Sequence, residues 1–301
     1  MLKLKFIMVF FFILQPIFVF AHSQQLFSTN DLSIIFIKSL TNSVRIQETK
    51  THIHIISNGI PIHRTGAFPG RGNPHSISEQ RHNLRVPKDP QLTSRKIQSR
   101  FFGVALNGVM FVPGTAECWE QKREGRSQRG LGSQHLSRKP PRRRSLQNIG
   151  DCEWREEAIV NGSSRLGLDN NFAHVQPSGM YHYHGKPEGL IKRLKQNENK
   201  DLLLVGYAGD GFKIYVSQSN KYLSSYRLKS GTRRTGPPGA HDGTYTADYK
   251  FVRGAGELDE CNGLKRNDGP YAYILTKKFP FVPRCWRGSP DRTFINRPDG
   301  R

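Results

Sequence analysis

The 301-residue sequence predicts a mainly β fold: a single β-rich domain of antiparallel hairpins, sandwich- or barrel-like, with few short helices and long loops. Three observations carry this expectation. Short runs rich in β-branched and aromatic residues recur between turn signals. Asn-Gly and Asp-Gly pairs stand where turns need positive φ. Helical patterns are scarce, and there is no internal repeat of solenoid period.

The chain opens with Lys3 and Lys5, then an apolar run from Phe6 to Phe20 broken only by Gln15 and Pro16, closing on Val19-Phe20-Ala21. A charged leader, an apolar stretch and a small residue at its end make a secretory signal peptide, residues 1–21, cut after Ala21. Spanning a bilayer takes about 20 predominantly apolar residues, and this run is shorter and carries a proline. No later run is long enough either. The mature chain, about 280 residues, is therefore expected to lack an integral membrane span and to be secreted, periplasmic or attached to the cell surface.

Candidate strands follow in order. Ser33–Ile37 and Val44–Gln47 lie in a lead-in of residues 22–49; then come Thr51–Ile56, Phe101–Leu106, Leu202–Tyr207, Phe212–Val216, Tyr245–Phe251 and Tyr271–Thr276. Thr51–Ile56 alternates, with His52 and His54 on one face and Ile53 and Ile55 on the other, as a half-buried strand does. Asn58-Gly59, Asn107-Gly108 and Asp210-Gly211 follow or separate such runs, and Asp210-Gly211 is the strongest hairpin signal. Two short helices are expected, Glu153–Val160 and Pro187–Gln196, the second opened by proline at its first position. Residues 66–98, polar and punctuated by Gly and Pro, read as a long irregular loop, and 291–301 as a C-terminal tail.

Export makes the four cysteines a disulfide framework rather than a metal site, since no CxxC pair is present. Four cysteines allow three pairings; Cys261 with Cys285, flanking a strand, is favoured, which leaves Cys118 with Cys152. The formal net charge of +22 is concentrated: nine Lys or Arg between Lys122 and Arg144 face the single acid Glu124. With almost no apolar residues, this 120–150 stretch reads as a disordered basic loop, a solvated insertion or a patch for polyanion contact. Its texture differs from everything around it, as a fault in the reading frame would also produce. Nucleotide-binding glycine fingerprints and a serine nucleophile elbow are absent.

The chemistry is concentrated in FAHVQPSGMYHYHG, residues 172–185. On a strand, His182 and His184 share one face and Tyr181 and Tyr183 the other. A two-residue loop, Pro177-Ser178, would pair His174 with Tyr181 and turn it away. A three-residue loop, Pro177-Ser178-Gly179, pairs His174 with His182, and Pro, Ser and Gly suit a type I turn with a G1 bulge. Three imidazoles on one face could hold zinc, copper or iron, among which imidazole does not select. Asp169, five residues before His174, could be a fourth ligand, a partner orienting an imidazole, or only a turn former. Tyrosines and histidines on a strand can also be plain packing residues. His52, His54, His63, His75 and His241 are individually weak candidates.

Tyr181-His182-Tyr183-His184 and its surroundings resemble the YHYH family. The similar segments are 56–74 (ISNGIPIHRTGAFPGRGNP), 102–117, 166–191, LVGYAGDGFKIY (204–215), LDECNG (258–263) and 269–288. Together they suggest one family domain over 50–290. The resemblance implies an exported protein in which His174, His182, His184 and the GYAGDGF hairpin belong to a common motif. Two departures stand out: KIYVSQSN after the hairpin lacks the expected prolines, and the 120–150 stretch replaces a shorter, aromatic-containing connection.

The expectation is an exported domain binding a transition metal or a polar small ligand at His174, His182 and His184. A metal-dependent hydrolase or oxidoreductase, with the tyrosines or Asp169 moving protons, and a non-catalytic surface module are the alternatives.

Overall fold

Alternating burial along the first long hairpin builds one layer of the structure. The computed structural model describes residues 40–119, 152–164, 166–195, 201–266 and 269–295; the expected signal peptide 1–21, the run Ser33–Ile37, the basic stretch 120–150 and the last residues of the tail lie outside the described residues. Strand β1 (Val44–Glu48) pairs antiparallel with β2 (His52–Ser57). Along β2, Ile53 and Ile55 are buried and His52 and His54 half-exposed, as the alternation predicts. The third strand, β3 (His82–Pro87), pairs with β2 inside the segment read above as an irregular loop. Its His82, Leu84 and Val86 are buried while Asn83 and Arg85 are exposed. The period-2 signal was present but carried only Leu84 and Val86 as apolar residues. Pro87 closes the strand at the sheet edge, where a missing N–H costs no ladder bond.

The second layer is a larger sheet. Its elements are β5 (Gly103–Ala105) and β6 (Met110–Phe111), which follow the short β4 (Ile97–Gln98), then β9 (Ala173–Val175) and β10 (Tyr181–Tyr183), after the small hairpin of β7 (Ile159–Val160) and β8 (Ser163–Ser164). Helix α1 (Glu188–Lys195) leads into β11 (Leu202–Ala208) and β12 (Lys213–Ser217). The pair β13 (Tyr226–Leu228) and β14 (Tyr249–Phe251) stands apart, and β15 (Gly263–Leu264), β16 (Ala272–Leu275), β17 (Cys285–Trp286) and helix α2 (Arg292–Ile295) complete the chain. The sheet order is β15-β16-β12-β11-β5-β6-β10-β9. Pairing is antiparallel except β16 with β12 and β6 with β10. Because β15 and β9 end it, the sheet is open and not a closed barrel.

Ile55, Leu84 and Val86 of the three-stranded sheet join Val104, Met110, Val205, Ile214 and Tyr273 of the larger sheet in one apolar cluster. The two sheets thus bury facing sides, the sandwich-like option of the expectation. Each fully buried side chain of this size contributes about 1.5–3 kcal/mol. Across the sheet, Ile274 packs with Leu258 and Leu264 in a second cluster, the opposite side from Tyr273 and Leu275.

Two turn expectations and one helix expectation hold. Gly108 (φ 81°) turns β5 into β6, and Gly211 (φ 91°) turns β11 into β12; a Cβ at Gly211 would lie 2.2 Å from the Pro87 carbonyl oxygen. Helix α1 begins after Pro187, with Glu188 in its first turn and Lys192, Arg193 and Lys195 in its last, the charge order its dipole favours. The helix expected at Glu153–Val160 does not form. Its backbone is bonded outward instead: Trp119 N–H to Trp154 O, Glu156 N–H to Glu117 O and Glu157 N–H to Thr244 O. With Ile159–Val160 in β7, tertiary pairing overrides a weak helical propensity. Tyr245–Phe251 is only half strand, since Thr246–Asp248 form a 3-10 turn before β14.

Disulfides join Cys118 to Cys152 and Cys261 to Cys285, the favoured pairing. Among the described residues no helix is long and apolar enough to cross a membrane. The Cys261–Cys285 bridge closes a loop with a sequence separation of 24, for which loop-closure entropy gives about 3.5 kcal/mol. A Cys261→Ala/Cys285→Ala variant is expected to lose roughly that much in denaturant unfolding; an unchanged midpoint would show that the bridge adds nothing.

Candidate metal centre

The three histidines come together because of strand order and register. Strand β10 is an inner strand, parallel to β6 and antiparallel to β9, with His182 opposite both Met110 and His174. The turn between β9 and β10 is the three-residue one: Gln176 N–H bonds to Met180 O at 3.0 Å and Gly179 N–H to Gln176 O at 2.8 Å. Gly179 has φ 81°, and a Cβ there would meet Ser78 Oγ at 1.9 Å, so the position requires glycine. His174, His182 and His184 consequently share a face, with ring centroids 4.7, 4.7 and 4.9 Å apart.

Each can offer one ligand atom, all within 4.8 Å of one another. His174 Nε2 and His184 Nε2 are 3.1 Å apart. His182 and His184 are buried, and His174, on the edge strand β9, is half-buried. The far sides of two rings are engaged by carbonyls: His174 Nδ1 lies 2.9 Å from Leu166 O and His182 Nδ1 3.2 Å from Met180 O. The Asn73 amide is also near His174 Nδ1, at 3.4 Å; the shorter contact makes Nδ1 the donor, to Leu166. His184 Nδ1, by contrast, is buried without a hydrogen-bond partner.

Burial, followed by the neighbouring His174, pushes His182 down to about 3. Burial, then His182 and His174, holds His184 well below the usual imidazole range, and burial lowers His174. All three rings are thus neutral near pH 7, each with one lone pair, and the carbonyl bonds fix Nε2 as that lone pair on His174 and His182.

The opposite face of β10 is a different polar structure. Tyr183 Oη donates to His63 Nε2 at 2.6 Å and accepts from Asn107 Nδ2 at 2.9 Å. Since His63 Nδ1 faces the Arg64 carbonyl at 2.9 Å, its Nε2 is the acceptor. Tyr181 Oη donates to Asp169 Oδ2 at 2.7 Å. Both tyrosines are fully buried, which pushes their phenols well above the usual range.

Asp169 therefore stands apart from the histidine group. Its carboxylate accepts from Tyr181, from the backbone N–H of Gly66 (3.0 Å) and Asn171 (2.8 Å), and from the Asn171 amide (3.3 Å). It organises the turn into β9, where Phe172 takes φ 51°, a left-handed conformation costly for a bulky side chain. From that turn Phe172 O accepts the His184 N–H at 2.7 Å, so the strained residue holds a cluster histidine. The Tyr hydroxyls, bound on the far side, are not placed to move protons at the imidazoles.

Of the weaker candidates, His63 is a structural partner of Tyr183, and His75 acts electrostatically on His174. His52 faces Asp291 at 3.8 Å, and His241 Nδ1 lies 3.0 Å from the Gly231 carbonyl oxygen. Asn73 and Asn107 carried no signal in the sequence beyond their place in Asn-Pro and Asn-Gly pairs. Outside the cluster, Asp210 at the β11–β12 turn is buried and accepts from Tyr273 Oη (2.7 Å) and Gly288 N–H (2.8 Å). Burial pushes its carboxyl up to about 6.

Fold and site together define a disulfide-bonded, open-sheet β domain with a buried three-imidazole cluster on neighbouring strands. The family model described as YHYH protein matches residues 83–288, and the chain belongs to that family. No curated protein and no solved structure matches it.

Removing the Tyr183 hydroxyl would leave Asn107 and His63 without their shared partner, a loss of about 1–3 kcal/mol. Tyr183→Phe is therefore expected to lower the unfolding midpoint by that amount. Equal stability of the variant would show that the network is not holding β10.

Proposed function

We propose that this protein is exported and binds one transition metal ion, zinc, copper or iron, through His174, His182 and His184. A single observation carries the reading. The rings converge while the other nitrogens of His174 and His182 are committed to backbone carbonyls, the arrangement that fixes tautomer and orientation in metal-bound histidines. Buried neutral imidazoles are also the donors such ions take. As packing alone the cluster is poorly explained, because with His174 Nδ1 a donor, the 3.1 Å contact obliges His184 Nε2 to donate and leaves His184 Nδ1, buried, without a donor of its own. Three nitrogen donors leave a tetrahedral ion one further position, for water or a small ligand. Such an open position would supply metal-dependent hydrolysis or redox chemistry, the second reading. The disulfides favour an oxidising compartment, which suits the exported state suggested by the N-terminal sequence.

Protein purified without chelator or affinity metal is expected to carry about one equivalent of zinc, copper or iron, the complement of a single site. His182→Ala should lose it while remaining folded by circular dichroism. A folded variant with unchanged metal content would sink the site.

Acid provides a second check. Unfolded imidazoles titrate near 6.5, whereas His182 is held at about 3. Between those values the unfolded chain binds a proton that folded His182 refuses, so the stability tied to His182 is complete above about 6.5 and lost as the pH falls towards 3. Bound metal is expected to survive dialysis at about pH 5, where solvent-exposed histidine sites release theirs; release centred near 6.5 would mean that the cluster is open to water.

A further inference from the structure

Two clefts on the described surface differ in charge. In one, of about 550 Å³, the cations Lys96, Arg253 and Arg287 are balanced in number by Glu257, Asp259 and Glu260; Lys96 pairs with Glu260, and Arg287 Nη1 lies 3.0 Å from Asp259 Oδ2. The other, of about 410 Å³, is lined by Lys229, Arg234, Lys250, His241 and Trp154, with Glu153 as its single carboxylate. Among the described residues none of those three cations has an acidic partner within ion-pair distance.

The wall of this cleft is rigidly built. Arg233 forms a bidentate pair with the buried Asp248, Nε to Oδ1 and Nη2 to Oδ2, both 2.7 Å, and reaches Asp242 at 2.7 Å. Its guanidinium also lies over the Tyr245 ring. Backbone bonds from Arg233 N–H to Gly239 O (2.9 Å) and His241 N–H to Gly231 O (3.0 Å) close the loop. Arg233 is thus neutralised inside, and the adjacent Arg234 is exposed. Lys250 projects from β14, in register with Arg227, and Lys229 follows β13. Like charges gathered on a preorganised wall raise the local concentration of anions. Thr232 and Thr235 line the same space.

We propose that this cleft binds an acidic polysaccharide, its carboxylates or sulfates met by Lys229, Arg234 and Lys250 and its sugar hydroxyls by the threonines and His241. Disulfide-bonded proteins work where such glycans are the abundant polyanions, and mixed cation and hydroxyl lining suits a chain of sugars better than bare phosphate.

The test is calorimetric titration of the full chain at low salt with heparin oligosaccharides, which are sulfated, and polygalacturonate oligosaccharides, which carry carboxylate alone. Lys229→Gln/Arg234→Gln/Lys250→Gln is expected to weaken binding of at least one of them roughly tenfold to thirtyfold, as the loss of three exposed ion contacts implies. Lys192→Gln/Arg193→Gln/Lys195→Gln on helix α1 removes equal charge and should stay within about twofold. Equal losses in the two triple variants, binding abolished only by deleting residues 122–144, tighter binding to a DNA duplex than to either glycan, or no binding of either glycan would each overturn the proposal.

Discussion

Everything around the cluster depends on one constraint: β10 is buried on both faces, yet all its side chains, and that of His184 beyond it, are polar. In a dry interior each hydroxyl and imidazole must find a partner or lose on the order of a kilocalorie or more. The structure meets this requirement differently on the two sides. Tyr181 and Tyr183 reach fixed partners from loops far away in sequence, Asp169, His63 and Asn107. The histidines mainly have one another and the carbonyls behind them. Since successive strand residues alternate, a slip of one register step would exchange the faces. The tyrosine bonds therefore set where the histidines point.

Much of this was legible in the sequence because it is local. The Pro-Ser-Gly turn set the β9–β10 register, and the alternation of Tyr and His set the faces. Asn107-Gly108 and Asp210-Gly211 marked hairpins whose glycines do take positive φ. What the sequence hid is what distance creates. Asp169 looked more like a turn former than a ligand, and the Tyr181 hydroxyl that it accepts from, twelve residues on, carried no sequence signal of its own. His63 looked like any isolated histidine, although it lies 120 residues from the Tyr183 it accepts from. The short strand β3 was obscured by the charged Arg85 and the terminal proline. The Glu153–Val160 helix failed because its backbone groups found partners in other segments.

Similar polar nodes recur elsewhere. Asp210 ties the β11–β12 turn to Tyr273 and Gly288, and Asp248, just before β14, holds the 231–243 loop through Arg233. Each is a buried carboxylate holding a loop to a strand through several donors, so long loops are ordered without needing cores of their own. These nodes are directional, and removing one partner costs more than an average contact because it leaves the others buried and unpaired.

The position of β9 at the end of the sheet has a kinetic meaning. An edge strand has ladder bonds on one side only and can peel away at a free energy well below that of global unfolding. His174 rides on that strand, whereas His182 is clamped between β6 and β9. Any ion held by the three rings could leave when β9 frays, losing one ligand while two remain in place. Its residence time would then be set by the opening of a single strand and not by the lifetime of the fold.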